Sequence, residues 1–260
     1  MFFVTMGTRW PSGYRVPFLE ESEVMSRKYE LTPEMRQRLE RKRLVRKRQI
    51  RRRILVFGML FVVLLVGILY KRKPQKYYYN SDFGIITYKS QMDKDGDGID
   101  DQSDILFGVR DYIDDKPKYK SVYYAGGYPT DEYGVCTDVV AQGFLHAGYD
   151  LMQLVNEDIL ENPQAYDIDK PDINIDFRRV RNLYVYFQHT AISLTTDVSK
   201  IEEWQGGDVV VFKNHIGIVS DRRNAKGIPY VIHHGSPTQR EYEQDILEGR
   251  DDIIGHYRIN

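Results

Sequence analysis

The sequence predicts an α+β fold in which a nucleophile-bearing helix packs on an antiparallel sheet, preceded by one transmembrane helix. Three observations support this prediction. A 17-residue stretch without charge follows a strongly basic arm. A helical spacing of apolar residues begins at the single cysteine of the chain, Cys136. Three short apolar runs with strand character lie close together in the last third of the chain.

Charge divides the chain into parts that the overall net charge of −1 conceals. Residues 1–53 carry 15 Lys/Arg against 6 Asp/Glu, whereas residues 71–260 carry 22 against 32. The first part is therefore a basic arm and the last part an acidic domain. The acidic sign of the domain argues against nucleic acid as its partner.

The uncharged stretch at 54–70 predicts the transmembrane helix. Seventeen helical residues span roughly 25 Å, which is close to the thickness of a bilayer core. Eleven Lys/Arg lie between Arg36 and Arg53, so the positive-inside rule places the arm in the cytoplasm and residues 71–260 outside the cell membrane. A cleaved signal peptide and a buried helix are less favoured alternatives. The basic helix expected from Met35 to Arg53 is either a topology signal or a contact for anionic lipid.

After a connector at 71–92, with a short strand expected at 83–88, comes a loop at 93–104 that has the spacing of a calcium site. Carboxylates occupy loop positions 1, 3, 5, 9 and 12, a glycine occupies position 6, and the carbonyl of position 7 completes the set. The predicted ligands are Asp93, Asp95, Asp97, Ile99, Asp101 and Asp104. The alternative is a solvated acidic turn. Calcium here would brace the domain and take no part in catalysis.

Helices are expected on both sides of a Gly/Pro-rich loop. The first is capped by Ser103 or Asp104 and ends before Pro117, and the second runs from Cys136 to Gly148. A short helix is predicted at 150–160. A further helix at 176–189 carries three arginines, which either grip a substrate carboxylate or pair with local aspartates.

The last third predicts an antiparallel meander of strands at 208–212, 215–219 and 230–234, with another strand-like piece at 255–259. His215 begins the second of these strands and His233 lies on the third. A thiol at a helix N-terminus is expected to favour the thiolate, and it needs a base and a group that orients the base. We expect the His215 ring to face the helix of Cys136, with His233 in cross-strand contact.

The segment YYAGGYPTDEYGVCTDVV, followed by GDVVVFKNHIGIVSD and YVIHH, resembles the motifs of the NlpC-type cysteine peptidases. These papain-like enzymes cut peptidoglycan stem peptides and need no cofactor. The resemblance implies that Cys136 is the nucleophile, His215 the base and His233 the third residue, with His234 as a rival. It also implies that Tyr123, with the backbone N–H of Cys136, stabilises the oxyanion. For this mechanism Asp138 must point away from the sulfur.

The phrases GVCTDVV, NIDFRRVRNL, HIGIVSD and GHYR are similar to those of the domain of unknown function 1287 family. The resemblance implies a papain-like catalytic domain at 105–260. The expected function is a membrane-anchored cysteine peptidase or amidase acting on peptidoglycan, with an acidic surface suited to substrates that present amino groups. A non-catalytic surface module of the same fold and an acyltransferase are the alternatives.

Overall fold

The computed structural model describes residues 32–71 and 75–259, without the side chains of 69–71. It divides into two compact units, Met1–Pro74 and Gln75–Asn260. Most of the predicted basic arm, up to residue 31, and the junction at 72–74 lie outside the described residues. In the first unit, helix α1 (Pro33–Lys71) confirms the predicted basic helix and continues through the uncharged stretch. Among the helices of the described residues, none combines the length and apolarity that a bilayer crossing requires.

The second unit mixes helices and strands, which confirms the α+β class. Its helices are α2 (Asp101–Asp114), α3 (Cys136–His146), α4 (Leu151–Glu161), the single turn α5 (Ile173–Asp176) and α6 (Val180–Thr190). Its strands are β1 (Lys118–Tyr119), β2 (Tyr133–Gly134), β3 (Ile192–Ser193), β4 (Val209–Phe212), β5 (His215–Arg223), β6 (Pro229–Ile232), β7 (Glu243–Gln244) and β8 (Ile253–Arg258).

The main sheet has the order β3-β8-β4-β5-β6-β7, and all of its neighbouring strands are antiparallel. The predicted meander of β4, β5 and β6 is therefore confirmed. β4 and β5 are joined by the two residues Lys213 and Asn214, so Phe212 pairs directly with His215. β6 ends at Ile232, and His233 lies one residue beyond it.

Alternation along these strands sorts their side chains into two cores. Ile216, Ile218 and Ile232 pack in the cluster that contains α3 and Cys136. Phe212, Val219 and Val231 pack on the other face, around the buried Trp204. Successive side chains of a strand point to opposite faces. The helical layer thus covers one face of the sheet, and loops cover the other.

Helix α2 begins earlier than predicted. Its N-cap is Asp100, whose carboxylate accepts the backbone N–H of Ser103 at 3.2 Å, so the prediction of Ser103 or Asp104 as the cap was wrong. α2 packs closely against α3. A Cβ on Gly143 would lie 2.4 Å from Val109 Cγ1 and 3.0 Å from the carbonyl of Ile105. A larger residue at this glycine would push the two helices apart.

The helix predicted at 176–189 begins only at Val180, since Phe177 to Arg179 lie between the single turn α5 and α6. Thr137 on α3 donates a hydrogen bond to the carbonyl of Arg178 at 3.2 Å. The Arg178 guanidinium is also bonded to α3, through Asp138. These tertiary contacts compete with continuous helix at this point, and the sequence pattern does not contain them.

The strand expected at 83–88 is also absent. A 3-10 turn occupies Asn80–Phe83 and ends at Gly84, which has a φ of 68°. The next residues bond to a side chain instead of a strand, because the Tyr88 N–H donates to Gln205 Oε1 at 3.2 Å. In this connector, a side-chain amide accepts the backbone hydrogen bond that a neighbouring strand would otherwise accept.

Candidate functional site

Cys136 is the first residue of α3. Val135 before it is extended, with φ −137° and ψ −178°, and its N–H donates to Asp138 Oδ2 at 2.8 Å. The first N–H groups of a helix have no partner within the helix. The sulfur is therefore at a helix N-terminus, as the apolar spacing predicts.

The thiol is protonated at neutral pH, which contradicts the expected thiolate. Burial raises the pKa of Cys136 to about 11, with the side chain in the core and only 9% of the residue exposed. The backbone N–H groups of Ile216 and Thr137 act in the opposite direction and lower the pKa. The loss of hydration outweighs these N–H groups, because a thiolate in an apolar environment gives up its water.

The sulfur lies where β6 stops pairing with β5. The two strands pair at Ile218↔Ile232, and beyond this point the His233 N–H donates to the carbonyl of Tyr242 at 2.8 Å. The Ile216 N–H points to the side of β5 from which the chain after β6 has separated. This N–H meets the sulfur of Cys136, so the nucleophile occupies the gap beside the first residues of β5.

His215 and His233 form a hydrogen-bonded chain with Gln244 on β7. His215 Nε2 lies 2.9 Å from His233 Nδ1, and His233 Nε2 lies 3.1 Å from Gln244 Oε1. An amide oxygen only accepts, so His233 carries its proton on Nε2 and accepts at Nδ1. His215 then donates from Nε2, which leaves its Nδ1 as the basic nitrogen. The chain fixes the tautomer that a general base needs.

Both imidazoles are neutral at pH 7. Burial is the main cause that lowers the pKa of His215 to about 3, and the neighbouring His233 and Arg250 lower it further. Burial also lowers the pKa of His233 to about 4, while its bond to Gln244 acts in the opposite direction. A neutral thiol and two neutral imidazoles are therefore the resting protonation states of these groups.

The His215 ring lies on the face of the sheet opposite Ile216. It stacks on Phe212, with the ring centroids 5.9 Å apart. Within the described residues, no hydrogen bond joins the Cys136 sulfur to His215. The structure thus brings the sulfur to the backbone next to His215, with the ring on the far side of the strand.

His234 differs from His233 in its surroundings. It is 1% exposed and packs edge-on against Tyr119 and Tyr242, at 5.2 Å and 5.1 Å between centroids. Its Nδ1 is buried and has no hydrogen-bond partner in the part of the chain that the structure describes. The bond to His215 belongs to His233, which favours His233 over His234 as the third residue.

Asp138 is bonded to Arg178, yet after burial its charge is a further cause that raises the pKa of Cys136, so it opposes the thiolate. Arg178 holds its carboxylate with two hydrogen bonds, at 2.6 Å from Nε and 2.8 Å from Nη2, and both side chains are buried. Arg181 pairs with Asp167 at 2.8 Å on the surface. The arginines therefore pair with aspartates, although the partner of Arg178 is distant in the chain and not local, as the alternative had it.

The Tyr123 hydroxyl bonds to residues other than Cys136. It lies 3.1 Å from Asp172 Oδ2 and accepts a bond from Asn174 at 3.3 Å, and 55% of the residue is exposed. Its predicted role at the oxyanion requires the phenol to leave these partners. That role stays a prediction.

The predicted calcium ligands separate into two groups. Carboxylate oxygens of Asp93, Asp95 and Asp97 lie within 4.8 Å of one another and are exposed. Asp101 is buried at the first residue of α2 and bonds to the Tyr149 hydroxyl. Asp104 is buried with its Oδ1 3.2 Å from His146 Nδ1. Three of the predicted oxygens therefore converge, and two carboxylates have partners within the protein.

Sequence reasoning missed Gln244 and the clamp of Arg178 on Asp138. Gln244 lies on a strand of only two residues, too short to produce an alternating pattern. Arg178 and Asp138 are forty residues apart in the chain. Neither pairing leaves a local trace in the sequence.

Two comparisons with known proteins match this domain. Residues 108–259 match the family described as Domain of unknown function (DUF1287). The uncharacterized protein YijF of Escherichia coli (strain K12) is 38% identical over 152 residues, which cover 55% of this chain and 72% of that protein. No solved structure matches the chain.

Proposed function

The chain belongs to the DUF1287 family, whose description gives no activity, and on the geometry of its own residues we propose that it is a cysteine hydrolase of amide bonds. The observation that carries this proposal is the hydrogen-bonded chain from His215 through His233 to Gln244. This chain begins at the residue next to Ile216, whose N–H meets the Cys136 sulfur. Nucleophile, base and orienting group are the parts that covalent amide hydrolysis needs. A relationship to the papain-like peptidases is part of the same proposal.

In the proposed reaction, the Cys136 sulfur attacks the amide carbonyl while its proton passes to His215 Nδ1. The backbone N–H of Cys136, at the start of α3, is a donor for the developing oxyanion. His215 then returns the proton to the leaving amine, which departs as the C–N bond breaks. Water, deprotonated by His215, hydrolyses the thioester and restores the thiol. The first step requires His215 Nδ1, which the bond to His233 leaves free, to come within hydrogen-bond distance of the sulfur, a contact that the described residues do not show.

Peptidoglycan stem peptides are the proposed substrate. A cavity of about 480 Å³ opens beside the base, with His215, His233, Gln244 and Arg250 in its wall. Its size suits a short peptide. The excess of Asp/Glu in residues 71–260 suits substrates with free amino groups.

The proposed location is the cell membrane, with the domain outside. Fifteen of the seventeen residues at 54–70 have described side chains, and those of the large apolar residues are exposed in α1. Exposed apolar side chains of this extent are stable in an apolar environment such as a bilayer. The eleven cations before them predict that the arm is cytoplasmic. Protease added to intact cells should digest residues 75–260 and spare the arm. Digestion of the arm instead would show that the orientation is the reverse of the proposed one.

Calcium bracing at 93–104 is a second part of the proposal. It rests on the three converging carboxylates and on the Ile99 carbonyl at loop position 7. The loop leads directly into α2, so an ion there would hold the start of the domain.

The function is tested by incubating the full chain, in detergent micelles, with peptidoglycan fragments and measuring released peptides. Cys136→Ala should abolish cleavage, and Gln244→Leu should lower kcat by about ten- to a hundredfold because the base loses its orientation. Gln188→Leu, at an exposed position, is the matched control and should retain activity. Cleavage that survives Cys136→Ala would refute the assignment of the nucleophile.

A non-catalytic binding module is the second candidate. The protonated thiol favours it, and so does the lack, among the described residues, of a hydrogen bond between the sulfur and the His215 ring, since binding requires neither group to react. The candidates differ in one measurement. A binding module retains peptidoglycan fragments without cleaving them and is indifferent to Gln244→Leu.

A further inference from the structure

A second cavity, of about 370 Å³, opens on the other side of the segment that follows β6. Its wall includes Lys116, Tyr119, Tyr133, His234, Gln239 and Tyr242. Gln239 also lines the cavity beside His215, so the two cavities flank one segment of chain. Tyr133 is three residues before the proposed nucleophile, and His234 directly follows His233. The second cavity is thus built from chain that continues into the proposed reaction site.

The charge of this cavity is opposite to that of the domain. Residues 71–260 carry ten more acidic than basic side chains, yet the described residues that line the cavity include Lys116 and Lys118 and no carboxylate. Lys118 is paired with Glu132 at 2.7 Å. Lys116 forms no ion pair with any described residue and is exposed. One uncompensated cation therefore stands at the cavity.

The backbone of Lys116 is held in an unfavourable conformation. Its φ is 53°, the one positive φ among the described residues other than glycine. Such a conformation is costly for a residue with a Cβ and persists where the surrounding structure imposes it. The Lys116 N–H donates to the carbonyl of Ile113 at 3.0 Å, and Pro117 follows with a restricted φ. The turn fixes the point from which the ammonium group reaches the cavity.

A buried histidine lies in the wall of the same cavity. His234 is 1% exposed, and its Nδ1 has no hydrogen-bond partner among the described residues. Buried nitrogens without partners are rare, because each loses its bond to water. Tyr119 and Tyr242 contact the imidazole edge-on and hold it in place. Because the imidazole lines the cavity, a ligand oxygen there can accept a hydrogen bond from it.

We propose that this cavity is a subsite for the carboxylate-bearing end of a peptide, with Lys116 pairing the carboxylate and His234 donating a hydrogen bond to it. The rings of Tyr119, Tyr133 and Tyr242 contact the aliphatic part of the peptide. As a substrate subsite it rests on the proposed hydrolase function. The binding of a carboxylate peptide does not depend on that function.

The test uses the full chain with Cys136→Ala, in detergent micelles, and isothermal titration calorimetry. The probes are N-acetyl-alanyl-alanine with a free carboxylate and the same peptide as its amide. The free acid should bind at least about tenfold more tightly, since the amide carries no charge for Lys116. Lys116→Gln should reduce the difference to about threefold or less, and the exposed Lys89→Gln should leave it unchanged.

A second variant separates binding from folding. His234→Gln replaces a buried ring, so its melting temperature is measured beside its affinity, and in folded protein it should weaken the acid more than the amide. Equal affinity for acid and amide, failure of both to bind at millimolar concentration, or equal losses in the two lysine variants would each overturn the subsite. Carboxylate-selective binding by this variant, together with no cleavage of peptidoglycan by the unmodified chain, would refute the proposed hydrolysis of peptidoglycan and leave the subsite standing.

Discussion

The buried pair of Asp138 and Arg178 gives the sharpest prediction for stability. Arg178→Met removes both hydrogen bonds to the Asp138 carboxylate, and the backbone N–H of Val135 remains its one partner among the described contacts. Breaking a buried pair by removing one partner typically costs about 3–5 kcal/mol. Both side chains are almost fully inaccessible, at 1% and 0% exposed, so solvent screening does not reduce this figure. We therefore expect the variant to lose about 3–5 kcal/mol of unfolding free energy at pH 7.

The assay is urea unfolding of the full chain at pH 7, followed by the fluorescence of Trp204, which is fully buried. Arg181→Met is the matched control, because its pair with Asp167 is exposed and should contribute less than about 1 kcal/mol. Adding Asp138→Asn to Arg178→Met should recover most of the loss. A loss below about 1 kcal/mol would refute the reasoning.

Three further predictions concern ionisation and calcium. Because burial raises the pKa of Cys136 to about 11, its alkylation by iodoacetamide should accelerate up to at least pH 10, and a plateau near pH 7 would contradict this. Burial lowers the pKa of His215 to about 3 and of His233 to about 4, so the folded state binds fewer protons than the unfolded chain, and stability should fall as pH drops from 6.5 to 3. Replacing His233 by Asn should flatten this acid dependence in urea titrations, and an unchanged slope would show that other groups cause it. Millimolar calcium should raise the melting temperature, and chelation or Asp95→Asn should remove the gain. A melting temperature that calcium leaves unchanged would sink the bracing role.

Local patterns were sufficient for much of the fold. The apolar spacing after Cys136 predicted α3, and short apolar runs predicted β4, β5 and β6 in antiparallel order. These elements are specified by side chains that repeat within a few residues. Where the pattern predicted a helix at 176–189, contacts with α3 delayed its start to Val180.

The sequence by itself determined which chemical groups the domain carries: one thiol at a helix start, and histidines at the edges of neighbouring strands. Only the tertiary structure decided which of those groups contact and hydrogen-bond one another. It joined His215 through His233 to Gln244, and it bonded Asp138 to Arg178. It also kept the Cys136 thiol protonated, because the pKa depends on how much water folding removes. Hydration and contacts between distant residues arise from packing of the whole chain, and no short stretch of sequence encodes them.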